Sequence, residues 1–382
     1  MVPRGIRNDW TQAGFDMRRY VKNKSGFLPK EFFVAHDLCF AVHDILAQFL
    51  ASGEHSGVFS ARVKFSENSE AASFGEAEDI FDWLEASNRL DDRARILKAL
   101  VLPAVLSDML HYLYEALECS RKGKLNVTYA LIRKPLQESL FVLESIVLDE
   151  AGFAETLARN PLMLRPSTVG GVDGHACRIQ KVLEITGTTN QFDAEYLAQL
   201  RYEKVDDGFD GICNKAIHLF TEHKAIKTEM MNINFVFSDV DAKIAQWSYL
   251  YGRLPYVLVY AWRVIEHIGA SLCLTHPSYG QDMLRRVAAF VVLSARQCSH
   301  VTPQLQKFHN AHREWLLDHC KQMGSTRPMK RDFERMALTG ALPGEDEATV
   351  SARHAMFEAV SEQARLQALA DDSNLLCEPT NL

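Results

Sequence analysis

Several chemical signatures are absent from this 382-residue chain, and each absence removes a function class. No G-x-G-x-x-G, Walker A loop or H-E-x-x-H occurs, so the common nucleotide-binding and zinc-protease patterns are missing. No G-x-S-x-G is present either, which excludes the usual nucleophile elbow of esterases. The 8 cysteines are scattered, and none forms a C-x-x-C pair. That excludes zinc ribbons and thioredoxin-type redox motifs. Met1 to Gln12 is polar and lacks the apolar centre of a secretory signal. No uninterrupted apolar run approaches the roughly 20 residues of a membrane span. The expectation is a cytoplasmic protein with reduced thiols and no membrane partner. The formal net charge of −7 also argues against a dedicated duplex-DNA binder, which usually carries a basic field.

What is present reads as helix. The chain is 47% hydrophobic and 24% charged, ordinary for a globular body. Its centre is residues 91–149, two long helical patterns around a turn at Arg121-Lys122-Gly123-Lys124. The second has a helically spaced stripe, Tyr129, Ile132, Leu136, Leu140, Leu143 and Val147. It turns apolar nearly all round towards its end, as a buried helix does. Pro103 and Pro135 predict kinks, because proline removes a backbone donor and its ring crowds the preceding turn.

Other helices are expected at 29–51, 76–88, 173–186, 191–204, 211–224, 240–273, 280–297, 303–322, 328–338 and 346–370. Residues 9–29 read as an irregular arm and 371–382 as a loose tail. Asn160-Pro161, Arg165-Pro166 and Gly170-Gly171 predict a long loop over 150–172. Phe59–Phe65 and Met231–Phe237 alternate apolar and polar residues, the pattern of two short strands. The fold class is therefore mainly α, a multi-helix up-and-down bundle with a minor two-stranded element. Its segments are an N-terminal arm and strand region (1–90), a helical core (91–273) and a C-terminal helical extension (274–382). They are expected to pack as one body.

Charged residues on the buried central helix are the first functional candidates. Arg133, Lys134, Gln137, Glu138 and Glu144 interrupt its apolar pattern. Such groups are rarely buried unless paired. Either a structural ion-pair network or a polar cleft would satisfy them. A second candidate is Asn214, His218 and Glu222, at i, i+4 and i+8 on the expected 211–224 helix. A histidine there would suit general acid–base work, and a solvated helix face is the alternative.

Arg133-Lys134-Pro135-Leu136-Gln137-Glu138 and Cys213-Asn214-Lys215-Ala216-Ile217-His218 resemble the polar elements of HEPN-like bacterial proteins over about 91–272. The resemblance implies a helical bundle, often a homodimer. It also implies a nucleic-acid-acting protein, a metal-independent RNase or antiphage- or toxin-type defence effector with RNA as its partner. The implied site is Arg133, His218, Glu138, Asn214 and Glu222, with no cofactor and no metal. Active members place an Arg four to six residues before a His on one helix. Here that spacing occurs later, in Arg313-Glu314-Trp315-Leu316-Leu317-Asp318-His319, which makes Arg313 and His319 a fallback pair.

Two further readings stand beside it. One is a non-enzymatic helical interaction module that forms a homodimer or docks a partner. The other is a metal-dependent phosphohydrolase, since His36-Asp37 and His43-Asp44 resemble elements of HD-type enzymes. Metal donors also occur at Cys298, His300, His309, His312, His319 and Cys320, and at Asp206, Asp207 and Asp210.

Overall fold

A computed structural model describes residues 26–60, 63–65, 67–205, 207–272, 275–295 and 301–377. Of these residues 76% are helical, and none is in a strand. After a single 3₁₀ turn comes α1 (Phe33–His55), then the short α2 (Asn68–Gly75) and α3 (Ile80–Ala86). The central pair is α4 (Leu90–Arg121) and α5 (Leu125–Lys134). A π turn at Pro135–Ser139 continues α5 directly into α6 (Leu140–Leu148). Then follow α7 (Glu150–Arg159), α8 (Gly171–Thr186), α9 (Ala194–Tyr202) and α10 (Phe209–Ile217). The chain ends with α11 (Val240–Ala270), α12 (Pro277–Ser294), α13 (Pro303–Gln322), α14 (Lys330–Thr339) and α15 (Glu347–Cys377).

Local chemistry accounts for most boundaries. Asp91 and Asp92 lie in the first turn of α4, where carboxylates favour the positive end of the helix dipole. Gly123 has φ +72°, a conformation glycine adopts without penalty, and it turns the chain into α5. Asp239 caps α11, its carboxylate accepting from the Ala242 N–H at 2.8 Å.

The expected loop at 150–172 instead opens with a helix. Asp149 caps α7 by accepting from the Gly152 N–H at 2.9 Å, and helix ends only at Asn160 before Pro161. The C-terminal helix runs to Cys377, past the expected boundary at 370. The expected strand at 231–237 is a run of turns, with Met231 and Phe235 both at φ +61°. Period-two alternation there does not mark a buried face, since Met231 is fully exposed. The other expected strand, 59–65, is irregular where described, and residues 61 and 62 lie outside the described set. The arm up to residue 25 lies outside it as well.

One buried apolar cluster runs from Leu28 to Ala337 and draws on α1 and α4–α14. A small satellite forms around Trp83, Leu84 and Ile96. The helix α11 is the central post, buried along most of its length from Trp247 to Gly269. Residues Lys30–His55 and Leu90–Arg121 are long and apolar enough, by length and composition, to cross a membrane. Here 56% and 44% of their most apolar stretches are buried inside the body.

Pro135 does more than kink its helix. Lacking an N–H, it disrupts the i→i−4 ladder, and the ladder re-forms with one wider step: the Leu140 N–H reaches the Pro135 carbonyl. A π turn leaves carbonyls in need of other donors. Arg201 Nε donates to the Leu136 carbonyl at 2.7 Å, and the Tyr202 hydroxyl to the Gln137 carbonyl at 3.2 Å. Gln137 Nε2 donates in return to the Arg201 carbonyl at 2.7 Å and to Asp210 Oδ1 at 2.9 Å. Arg201 then pairs with Glu144, both fully buried, and the Tyr260 hydroxyl donates to Glu144 at 2.7 Å. The network thus ties α5, α6, α9, α10 and α11 to one point.

Removing one member of a buried pair leaves the other charge uncompensated. Glu144→Ala should therefore destabilise by about 3–5 kcal/mol, measured by urea denaturation. Glu144→Leu combined with Arg201→Met should recover most of that loss, and a double variant as weak as the single would contradict it.

Candidate functional site

The residues implied as an active site do not assemble into one. The helix expected over 211–224 stops at Ile217. His218 and Glu222 lie in the following loop with exposed side chains, and the His218 ring makes no hydrogen bond or ion pair among the described residues. Helix would have carried the Asn214 face through His218 to Glu222. Instead the His218 carbonyl accepts from Asn234 Nδ2 at 2.8 Å.

Asn214 donates to the Asp210 carbonyl at 2.7 Å and to its Oδ1 at 3.2 Å. Arg133 comes to the same carboxylate, Nε at 4.0 Å from Asp210 Oδ1. Its Nε is buried without a hydrogen-bond partner. Arg133 and Asn214 therefore do meet, through Asp210, while His218 lies beyond the end of the helix, past Ile217. Glu138 is exposed on the outer side of the π turn. The buried carboxylate of this helix is Glu144, and its partner Arg201 is 57 residues away in sequence.

The fallback pair also separates. His319 is buried, stacked on Trp315 with ring centres 5.0 Å apart, and accepts from Arg285 at 3.2 Å. Arg313 is exposed on another side of α13.

Among the described residues, no three His, Cys, Asp or Glu side chains converge as a metal site would require. Cys298, His300 and Asp206 lie outside the described residues. Asp207 is engaged by Arg253 at 2.5 Å and by the Tyr196 hydroxyl at 3.0 Å. His43 lies 2.9 Å from its neighbour Asp44, and His36 packs edge-on against Phe40 and Tyr251.

His309 and His312 are core groups. Burial pushes each down to about 4, and His312 Nδ1 donates to the Phe308 carbonyl at 2.8 Å. His175, stacked on Tyr202 at 3.7 Å, is likewise pushed to about 4, by burial first and Arg201 second. Each is neutral when folded and binds a proton more readily when unfolded. Their contribution is complete above about pH 6.5 and is lost as pH falls towards 4. The melting temperature should drop across that window, and His309→Leu should flatten the drop. An acid limb unchanged by that substitution would contradict the assignment.

A different surface stands out. Between α10 and α11, residues 218–239 fold into a compact loop held by one asparagine. The Asn234 N–H donates to the Leu219 carbonyl at 3.1 Å, and Asn234 Oδ1 accepts from Thr228 Oγ1 at 3.0 Å. The Thr228 N–H donates to the Thr221 carbonyl at 2.9 Å. This frame presents large apolar side chains outward. Met230 and Met231 are 96% and 100% exposed, and Phe220 and Phe237 are 64% and 65% exposed. Ile217, Leu219, Val236 and Val240 are exposed beside them.

Under the loop lies a cavity of about 310 Å³, with Ile212, Ile226 and Phe235 in its walls. Phe237, Lys215 and Lys227 also line it. Among the described residues neither lysine has an ion-pair partner. Ala242 and Gln246, on the first two turns of α11, close the far side. The sequence signal for this surface was the same alternation that suggested a strand.

Asn234→Ala removes the side-chain bonds to Thr228 and the His218 carbonyl and should raise amide exchange across 218–234 about tenfold or more, without moving the global melting temperature. His218→Ala should change stability by less than about 0.5 kcal/mol, as an exposed ring without partners does; hydrogen exchange reads the first and thermal denaturation the second.

Compared with protein-family models, curated proteins and solved structures, the chain has no match.

Proposed function

We propose that this protein is a non-enzymatic helical interaction module that docks a protein partner on the 217–240 surface. The observation carrying this reading is the concentration of exposed apolar side chains in one hydrogen-bonded loop over a cavity. A scattered exposed leucine is ordinary, but a contiguous apolar patch marks an interaction site. Methionines at its crest suit such a role, since their flexible thioethers adapt to a partner. The polar candidates point the same way, with Arg313, His319, His218 and Glu138 dispersed.

A photo-reactive amino acid placed at Phe237, in the cells that make the protein, tests this reading. It should cross-link to a protein partner, whereas the same group at exposed Leu100 on α4 should not. Adding Met231→Asp should abolish the cross-link. Equal cross-linking at both positions would overturn the reading.

The HEPN-like reading, a nucleic-acid-acting protein with RNase activity, is favoured by one observation. Arg133 is half-exposed beside Asp210 and Asn214, and a guanidinium's forked donors suit a phosphate. Its test is incubation with labelled RNA with and without EDTA. Cleavage that survives EDTA and is lost in Arg133→Ala supports it; intact RNA in every lane removes it.

A further inference from the structure

We infer that the cavity beneath the 217–240 loop binds a small organic monoanion, a carboxylate carried on an apolar body. This site is separate from protein docking, since Met230 and Met231 at the crest of the loop do not line the cavity.

Its walls follow from local sequence. Ile212 and Lys215 stand three residues apart on α10 and so share one helix face, and both line the cavity. The buried Ile226 comes up against the same helix at Gly211, where a Cβ would stand only 2.9 Å from the isoleucine side chain. Phe235, packed on Tyr129 with ring centres 5.8 Å apart, and Phe237 add aromatic surface. These walls are held without a ligand. The Thr221 N–H donates to Thr228 Oγ1 at 2.8 Å, Asn234 Nδ2 to the His218 carbonyl at 2.8 Å, and Gln246 Nε2 to Ser238 Oγ at 3.1 Å. A preformed cavity of about 310 Å³ lies at the small end of the range for small-molecule sites.

Charge selects the class of ligand. Among the described residues, three charged side chains line the cavity: Lys215, Lys227 and Glu229. Lys227 and Glu229 are both exposed, and their charges offset each other. Lys215 is half-buried, yet it makes no ion pair and no hydrogen bond with a described residue. An ammonium partly withdrawn from water beside apolar groups calls for an anion. One carboxylate at Lys215 supplies it and leaves the apolar body over Ile212, about one helical turn away. That body also covers part of the Phe237 ring, which is 65% exposed without it. A phosphate monoester would bring nearly two negative charges, whereas two lysines and one glutamate balance only one.

Calorimetric titration of the full chain with three probes of one octyl-length tail tests this: octanoate, octan-1-ol and octylammonium. Octanoate should bind at least about tenfold more tightly than octan-1-ol, the gain expected of one charge-assisted contact, and octylammonium should bind most weakly. Lys215→Met keeps the bulk of the stem and removes the charge. Octanoate should then fall to the affinity of octan-1-ol, which should itself change less than about twofold. Lys215→Glu should reverse the order and favour octylammonium. Ala242→Trp, in the first turn of α11, fills the cavity and should weaken all three probes at least about tenfold. Thermal denaturation checks that each variant folds, and either Lys215 variant suffices.

Octan-1-ol binding as tightly as octanoate would overturn the inference, as would an order of affinities that the Lys215 variants leave unchanged. Binding that survives Ala242→Trp undiminished, or no binding of any probe up to millimolar concentration, would do the same. Cross-linking at Phe237 is read separately. If it persists while octanoate fails to bind, docking stands and the ligand site falls. If octanoate binds as expected and Phe237 cross-links no better than Leu100, the ligand site stands alone.

Discussion

A proline in a buried helix sets the terms for the rest of this fold. Pro135 opens a single π turn, and within that turn the carbonyls of Leu136 and Gln137 accept from donors outside the helix. Arg201 and Tyr202 supply them from the end of α9. Burying Arg201 in turn requires a carboxylate, and Glu144, on the helix that follows the π turn, provides it. A charged pair in that position contributes little net stability compared with well-packed apolar groups, yet it penalises every arrangement that leaves either member alone. That asymmetry gives one register of α9 against the central helix a clear advantage. Asp210, held by Gln137, carries the same register into α10, and α10 delivers the chain to the 217–240 loop.

The consequence for function is a division of labour. The polar groups of the central helix are spent on holding helices together. Glu138 is exposed and outside that work, and Arg133 stands at the half-exposed edge of the network beside Asp210. The exposed chemistry lies where the network ends, in a loop whose backbone is satisfied internally through Asn234 and whose apolar side chains face solvent. A loop that satisfies its own backbone needs no burial of its side chains, which leaves them available to a partner.

Some of this was legible in the sequence. The pairing of α4 and α5 follows from two matched apolar patterns, a glycine turn and acidic first-turn residues, all of them local signals. The disruption at Pro135 follows from proline's missing donor, although the π geometry does not. The need of Glu144 for a partner was legible, but Arg201 was not, because 57 residues and a tertiary contact separate them. His218 and Glu222 were placed on a helix because no breaker stands between Ile217 and Glu222. The helix end is set by Asn234, 16 residues on. At 231–237 the alternation of Met231, Ile233, Phe235 and Phe237 was read as one buried strand face. It is instead a series of turns, in which Phe235 packs on Tyr129 at 5.8 Å while Phe237 points outward. Periodicity reports which side chains share a direction, not whether anything lies in that direction.

The account's central claim is that function is seated on the 217–240 loop rather than in the Arg133–Asp210–Asn214 cluster. Amide hydrogen exchange, read along the whole chain, tests it most directly when the protein is compared alone, purified together with its cross-linked partner and with single-stranded RNA. The account predicts protection of 217–240 in the co-purified complex, with no change at 130–140 or 209–217 on adding RNA. Protection confined to those two segments in the presence of RNA, with 217–240 exchanging alike in every condition, would contradict it.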